Sequence, residues 1–257
     1  MWQIYDELIE GIPKDLLVDE VICGKEYCCV RSGDSVGMCG SRTPTTRAAV
    51  FTKNMIGAPL FEVAECVKSW NFVEASAGLA ALNAYYNNPQ VARGNGVLFS
   101  DSMRVEDRIY DPFIMSQNEV RGKKVAVVGH FPHLERLLEP ICDFSIIEWG
   151  PKDGDYPISA AEYILPDCEY IYLTNSCIVN KTLPRLLELS KNAIRLTMVG
   201  PGTPLAPLFF NYGFETLSGF MIKDGAKLAR IVAGAENGKI FTTGQKVAFN
   251  KENLIQS

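Results

Sequence analysis

The sequence predicts an α/β protein in two parts: an N-terminal α+β domain, followed by a Rossmann-like domain with a doubly wound parallel sheet. In the first part, strand-like segments come first and helical segments follow. From residue 123 onward the two kinds of segment alternate, as in βαβ units. The first strand there, Lys124–Val128, is an apolar, β-branched run typical of a buried parallel strand. We therefore expect domains at 1–88 and 123–257, joined by a connector at 89–122.

The N-terminal domain is predicted to contain a meander of short antiparallel strands between helices. Two polar turns, one at 24–26 and one at 32–35, separate the strand-like segments. Pro59 suits the first turn of a helix, where a missing N–H group costs nothing. A later helix is so rich in alanine that another backbone can approach it closely, so we expect it to be buried. The predicted helices are 1–10, 59–67 and 74–86, and the predicted strands are 17–23, 27–31 and 36–39.

In the second domain, β-branched and aromatic runs alternate with apolar residues at helical spacing. Pro132 is expected to open the first helix, directly after the turn Gly129-His130-Phe131. We also expect a short strand at 97–99 in the connector. The predicted strands are 124–128, 143–148, 170–174, 193–199, 215–221 and 239–249, and the predicted helices are 132–140, 158–164, 183–189 and 224–233.

Composition excludes several classes of protein. The formal charge of −5 and the lack of a basic run argue against a nucleic-acid partner. The acidic N-terminal stretch does not resemble a signal peptide, and no apolar run is long enough to span a membrane. We therefore expect a cytoplasmic protein without a membrane partner, and a homo-oligomer is compatible with the sequence.

The eight cysteines are expected to be reduced thiols without a structural zinc ion. Four of them fall between Cys23 and Cys39 and could ligate a metal. Against this, the cluster has no C-x-x-C spacing, and strand alternation would send Cys28 and Cys29 to opposite faces of a sheet. We assign no resident metal to the site, and the sequence does not specify a cofactor.

Four predicted loops follow strands of the second domain, where open α/β sheets bind ligands. The first loop contains the only two histidines of the chain, His130 and His133, and one glycine in place of the three of a dinucleotide fingerprint. The second loop begins at a carboxylate, the third at an amide and a hydroxyl, and the fourth is stiffened by prolines. The expected ligand-binding residues are Gly129, His130, Glu148, Asn175, Ser176, Gly202 and Thr203.

His130 is the candidate for proton transfer, because imidazole titrates near neutral pH. Glu148 follows Gly129 by about 20 residues, the spacing of a Rossmann carboxylate that binds a ribose. From the first domain, the Asn83 amide could face the cleft between the domains. Weaker candidates have ordinary structural explanations as caps, core residues or exposed charges: His133, Cys177, Asn180, Thr182, Arg42 and Arg47.

Four segments together resemble a family described as "putative heavy-metal chelation", formerly a domain of unknown function. They are VEASAGLAALNAYYN, VAVVGHFPHLERL, TNSCIVNKTLPRLLEL and VGPGTPLAPLFFNYG. The resemblance covers nearly the whole chain. It implies an enolase-N-terminal-like domain before a Rossmann-like domain with partial similarity to methyltransferases. It also implies a shared cleft lined by Gly129, His130, Asn175, Ser176, Gly202 and Thr203, with Asn83 from the first domain.

The predicted function is binding of a small polar or anionic metabolite in the interdomain cleft. The resemblance implies that the metabolite is pterin-, flavin- or siderophore-like, that it is condensed or hydrolysed, and that a heavy metal is bound through it. One alternative is a non-catalytic protein that handles a transition metal through His130. Another is a nucleotide-cofactor-dependent enzyme that uses Glu148. Methyltransferase-type glycine motifs are absent, which argues against S-adenosylmethionine.

Overall fold

A computed structural model describes residues 2–43, 45, 47–102 and 110–254. It contains a three-stranded antiparallel sheet near the N-terminus and a seven-stranded, mostly parallel sheet in the second half of the chain. The predicted α/β class, with an α+β part before a Rossmann-like part, is confirmed. The exact boundaries at 88 and 122 stay a prediction, since one cluster of buried side chains extends through both parts.

The N-terminal part closely follows the predicted order of a helix, a meander and two helical segments. Its sheet has the order β1-β2-β3. A 3₁₀ turn at Glu65–Lys68 continues the second helix. The elements are α1 (Gln3–Glu10), β1 (Glu20–Cys23), β2 (Tyr27–Ser32), β3 (Ser35–Gly40), α2 (Leu60–Ala64) and α3 (Phe72–Tyr86).

The large sheet has the strand order β10-β9-β8-β7-β4-β5-β6. All neighbouring strands are parallel except β9 and β10. Without β10, this is the Rossmann order, in which the chain reverses its direction across the sheet between β4 and β7. The strands are β4 (Lys124–Val128), β5 (Asp143–Glu148), β6 (Tyr156–Pro157), β7 (Tyr170–Thr174), β8 (Arg195–Val199), β9 (Thr216–Ile222) and β10 (Gly244–Asn250).

Short helices connect or flank these strands. A 3₁₀ turn at Ile158–Ala160 directly precedes the helix at Ala161–Ile164, and separate 3₁₀ turns at Pro207–Tyr212 and Ile240–Thr243 lie in the connections before β9 and β10. The helices are α4 (Pro89–Gly94), α5 (Pro112–Met115), α6 (Leu134–Leu138), α7 (Ala161–Ile164), α8 (Ser176–Val179), α9 (Leu183–Leu189) and α10 (Gly225–Val232).

Several local predictions were wrong. The strand predicted at 239–249 begins only at Gly244, after a 3₁₀ turn at Ile240–Thr243. Residues 97–99 form no strand. Helix α6 begins at Leu134 rather than at Pro132, because His133 adopts a left-handed conformation with φ of 70°, which a right-handed helix cannot include. The loop expected at 174–177 contains the first residues of the short helix α8. The segment 103–109 of the predicted connector lies outside the described residues.

Helix α3 is buried along almost its whole length, as its small residues predict. Gly37 of β3 lets the helix approach the meander, because a Cβ atom there would lie 2.1 Å from the Ala80 carbonyl oxygen. On another side, a Cβ atom at Gly78 would lie 2.1 Å from the Val67 nitrogen. The meander and the α2 segment therefore both contact α3 through backbone. At 15 residues, α3 is the longest described helix, and none of the described helices is long and apolar enough to cross a membrane.

The packing of α3 predicts different effects for two glycines of β3. Gly37→Ala should lower the free energy of unfolding by about 2–3 kcal/mol, because backbone rather than a flexible side chain blocks the new methyl group. Gly40→Ala is the matched control, since no atom lies within 4 Å of the added methyl group. It should stay within roughly 0.5 kcal/mol of wild type in urea denaturation. Equal losses in the two variants would contradict the close contact.

Candidate functional site

The loops that contain most of the predicted site residues follow β4, β5, β7 and β8. These strands are neighbours in the sheet and are mutually parallel, so their carboxyl ends meet at one edge. The first turn is tight because Gly129 has φ of 117° and lies against Thr174. A Cβ atom at Gly129 would come within 2.9 Å of that side chain. The turn after β4 therefore requires glycine, which brings His130 to the reversal point of the sheet.

A cavity of about 410 Å³ lies at this edge, between the strand ends and the loop that follows β3. Four predicted binding residues line it: Gly129, His130, Glu148 and Ser176. Among the weaker candidates, Arg42, Cys177, Asn180 and Thr182 line it as well. The sequence analysis did not single out Phe72, Trp149 or Lys152, which also contribute to the walls.

His130 is held from two sides. Its backbone N–H donates to Glu148 at 2.8 Å, and its ring Nδ1 lies 3.0 Å from the Asp155 carboxylate. The Asp155 side chain is only 2% exposed and also accepts the Lys152 N–H. A buried carboxylate on Nδ1 favours the tautomer with its proton on that atom. The other ring nitrogen, Nε2, is then available as a base or a ligand, with a Glu135 oxygen 3.9 Å away.

Glu148 uses its carboxylate to order the two neighbouring loops. One oxygen accepts the His130 N–H, and the other accepts the Trp149 N–H at 2.7 Å. These backbone donors are freed where β4 and β5 end. Glu148 thus fixes the spacing of the first two loops. A ribose contact stays a prediction. It is compatible with these hydrogen bonds, because the oxygens of an ionised carboxylate have further lone pairs.

Arg42 connects the first sheet to the cavity. Its guanidinium donates to the Ser176 hydroxyl, and its backbone N–H donates to Ser76 of α3. Within the described part of the chain, no carboxylate forms an ion pair with Arg42 or with Lys152, the other cation of the cavity wall. The two carboxylates at the cavity, Glu148 and Asp155, are already engaged by backbone N–H groups and by His130. The cavity wall therefore contains two cations without an ion-pair partner among the described residues, together with the negative charge of Glu148.

Asn83 is buried and faces a protein loop rather than the cavity. Its amide donates to the Met38 carbonyl at 2.8 Å and to the Gly202 carbonyl at 2.9 Å. One turn later, the Asn87 amide donates to Thr203 and accepts the Leu205 N–H. The two amides of α3 thereby fix the loop after β8 against the first sheet.

Three other predicted binding residues lie in this same packed region. Asn175 is buried, and its amide contacts the Val199 carbonyl at 3.3 Å. A Cβ atom at Gly202 would lie 3.0 Å from the Asn175 amide oxygen and 3.2 Å from Cys39. Thr203 is fully buried. Asn175, Gly202 and Thr203 are absent from the described cavity lining, so the structure separates them from His130.

The two histidines are on different sides of the turn after β4. His133 lines a second, apolar cavity of about 300 Å³ with Phe113, Phe131 and Phe220. Arg47 is exposed and lines neither of these two cavities. The sequence did not point to Asp155, although the polar run 151–155 after β5 marks a loop that could return a carboxylate to the strand ends.

Lys181 contacts Phe72, one of the residues that line the His130 cavity. It has φ of 65°, and its amine donates to the carbonyls of Ser69 and Val179, above the rings of Trp70 and Phe72. Burial lowers the pKa of Lys181 from 10.5 to about 8, and the charge of Glu74 opposes this shift. A lysine thus joins the α2–α3 turn to the end of α8.

Comparison with known proteins places this architecture in a family. Models of two adjoining regions, each described as "Putative heavy-metal chelation", match residues 5–86 and 111–251. The chain belongs to this family. A crystal structure of a family protein of unknown function from Desulfitobacterium hafniense DCB-2 is 62% identical, with a TM-score of 0.91, covering 98% of this chain and 99% of that chain.

Two more distant relatives from archaea are also uncharacterised. A family protein of unknown function from Pyrococcus horikoshii is 22% identical, with a TM-score of 0.76, covering 96% of this chain and 98% of its own, which supports the fold alone. An uncharacterized protein of Methanocaldococcus jannaschii is 26% identical over 200 residues, which are 74% of this chain and 71% of the relative. The resemblance to the heavy-metal chelation family is therefore confirmed.

The family's description raises the question of a metal site. No group of three or more histidine, cysteine, aspartate or glutamate side chains suited to a metal ion occurs among the described residues. Among the described residues, the carboxylates within 4 Å of the His130 ring nitrogens are those of Glu135, 3.9 Å from Nε2, and Asp155, on Nδ1. These residues do not fit a resident metal held by protein ligands alone.

The contacts of Lys181 predict a pH dependence of stability. Between about pH 8 and 10.5 the unfolded chain binds a proton at this amine that the folded chain has lost. The Lys181 contribution to the free energy of unfolding should therefore rise with pH in this window. The slope should stay well under about 1.4 kcal/mol per pH unit, because the amine is partly exposed.

Urea denaturation at pH 7.5 and 9.5 would measure this contribution as the difference between wild type and Lys181→Met. The difference should grow in favour of wild type at the higher pH. Lys191→Met, at an exposed lysine, is the control and should show no such growth. A Lys181 difference that is equal at both pH values would contradict the lowered pKa.

Proposed function

We propose that this protein binds a small anionic metabolite in the cavity at the ends of β4, β5 and β7, and that His130 exchanges a proton with it. The observation that carries the proposal is the convergence of Arg42, Lys152 and the Asp155-oriented His130 on one cavity. A volume of about 410 Å³ suits a small metabolite. A carboxylate or phosphate on the metabolite would pair with Arg42 and Lys152, which have no ion-pair partner among the described residues.

The cavity walls favour a metabolite with a planar ring. Trp149 and Phe72 offer aromatic faces, and Trp149 is 55% exposed, so its ring is accessible to a ligand. Ser176, Asn180 and Thr182 add neutral polar groups that can fix orientation. Pterin-, flavin- and catechol-type siderophore compounds combine such rings with acidic groups. They are the substrate classes that we propose.

The geometry of His130 suits proton transfer in condensation or hydrolysis. Asp155 holds Nδ1, so Nε2 can take a proton from a bound group or return one to it. Asp155 would then stabilise the imidazolium that forms, without itself becoming protonated. Arg42 and Lys152 would hold the anionic group of the metabolite while the proton moves.

A second candidate function is the handling of a transition metal that the metabolite carries. Histidines that bind metals through one ring nitrogen commonly have the other oriented by a carboxylate, as Asp155 does at Nδ1 of His130. Since the protein offers too few ligands for a resident metal, the metabolite would supply the other donors. Under this function the metal is cargo. A third candidate function, the binding of a nucleotide ribose by Glu148, rests on the spacing of Glu148 from Gly129.

Binding can be tested with three anionic probes: pterin-6-carboxylate, flavin mononucleotide and 2,3-dihydroxybenzoate. At least one should stabilise the protein, by about 2.7 kcal/mol at a concentration of 100 Kd. Arg42→Gln should weaken that probe by about tenfold or more, because a charge-assisted contact is lost. Arg47→Gln, in the same loop but outside the cavity, should bind as wild type does. Stabilisation by no probe, or equal losses in both variants, would contradict the proposal.

Proton exchange can be tested by calorimetric titration of the binding probe in two buffers with different ionisation enthalpies. Wild type should take up or release a fraction of a proton when the probe binds, and His130→Asn should abolish this exchange while changing affinity only a few-fold. His133→Asn, the other histidine, should keep the wild-type exchange.

The metal function predicts a different outcome for His130→Asn. The variant should bind the free catechol probe as wild type does, but it should lose the added affinity for the ferric catechol complex. If His133→Asn changes proton exchange or metal affinity as much as His130→Asn does, His130 has neither role.

A further inference from the structure

Three cysteines form a row across the small sheet. In the strand register, Cys23 of β1 is opposite Cys28 of β2, and Cys28 is opposite Cys39 of β3. Directly opposite residues of antiparallel strands have side chains on the same face. Cys23 is exposed on the edge strand, whereas Cys28 and Cys39 are buried. The row therefore has one end open to solvent.

The backbone geometry at Cys23 and Cys28 suits a covalent bond between them. The next pair toward the turn, Gly24 and Tyr27, is joined by a backbone hydrogen bond of 2.8 Å. Because such pairs alternate along the ladder, Cys23 and Cys28 form a non-hydrogen-bonded pair, with Cα atoms about 4.5 Å apart. That separation is at the short end of the range that disulfides span.

The two thiols also interact as donor and acceptor. A hydrogen bond from the Cys28 thiol lowers the pKa of Cys23, although partial burial opposes the change. The same contact, together with burial, raises the pKa of Cys28. The other thiol that is not buried, Cys142, has no such partner; burial and Asp143 raise its pKa to about 11. Thiolate character and exposure thus coincide at Cys23.

We propose that Cys23 and Cys28 are a peroxide-reactive pair that closes reversibly to a cross-strand disulfide. The Cys23 thiolate attacks one oxygen of hydrogen peroxide; the O–O bond breaks, Cys23 becomes a sulfenic acid, and the released hydroxide takes up a proton to become water. The Cys28 sulfur then attacks the Cys23 sulfur, and the S–O bond breaks. The departing hydroxyl leaves as water with the Cys28 proton. Two sulfurs are oxidised and one peroxide is reduced.

Tryptic cleavage separates the two thiols, which makes the disulfide directly measurable. Cleavage after Lys14, Lys25 and Arg31 places Cys23 in peptide 15–25 and Cys28 in peptide 26–31. After treatment of the full chain with hydrogen peroxide, these peptides should be found joined in a mass spectrum without reductant. Dithiothreitol should separate them. Before oxidation, iodoacetamide should alkylate Cys23 at least about tenfold faster than Cys142.

Matched variants identify the partner of Cys23. Peptide 26–31 also contains Cys29, which is buried and opposite Ile22 in the register. Cys29→Ser should keep the joined peptides, whereas Cys28→Ser should lose them and leave a Cys23 sulfenic acid that dimedone traps. A joined pair that survives Cys28→Ser, a bond between Cys28 and Cys39, or faster alkylation of Cys142 would overturn the proposal. So would peroxide oxidation of Cys23 that produces no disulfide while circular dichroism shows the native fold.

Discussion

The polar side chains of a buried helix must find partners inside the protein, and this requirement governs the arrangement around α3. The helix packs against the meander and the α2 segment through backbone contacts at Gly37 and Gly78. Its two amides, Asn83 and Asn87, can satisfy their hydrogen bonds only with groups brought to them. The carbonyls of Met38, Gly202 and Thr203 accept from the two NH2 groups, whereas the buried Asn83 oxygen has no partner among the described residues. The small sheet and the loop after β8 are therefore fixed to one common element.

This arrangement positions the cavity, although α3 itself contributes only its first residue, Phe72, to the described lining. Once β3 and the loop after β8 are fixed to α3, the chain leaving β3 extends toward the carboxyl ends of β4 and β7. Arg42 then contacts Ser176 at the start of α8, and Ser76 of α3 accepts its backbone N–H. A residue of the loop after the first sheet thereby contributes to a site whose other residues lie mostly at the strand ends of the second sheet.

Electrostatics distinguishes this site from a nucleotide site of the ordinary Rossmann type. The turn after β4 has one glycine, and its freed N–H group is bound by Glu148. The carboxylates at this edge are occupied by protein donors, while Arg42 and Lys152 have no carboxylate partner within the described chain. These two cations support the anionic ligand that we propose. A family described by heavy-metal chelation can handle metal in such a site when the ligand itself provides most of the metal donors.

The sequence by itself determined the order and type of nearly all the elements, because the apolar periodicity is local. The runs at β4, β5 and β7 have exact boundaries, and the parallel order follows from βα alternation. The sequence also identified His130 as a candidate. It follows β4, the first strand of a doubly wound sheet, which has to end where the strand order reverses. Local conformation was less certain: His133 adopts a left-handed conformation that shortens α6.

Only the tertiary structure decided which polar residues share a cavity. The sequence predicted ligand binding for four residues besides His130 that the structure packs away: Asn83, Asn175, Gly202 and Thr203. Close packing against α3 and β3 uses their polar groups or buries them. Asp155 and Arg42 are distant from His130 in sequence, and no local pattern marks them as partners. Their proximity depends on the way in which distant segments of the chain return to one edge of the sheet. That is a property of the whole fold.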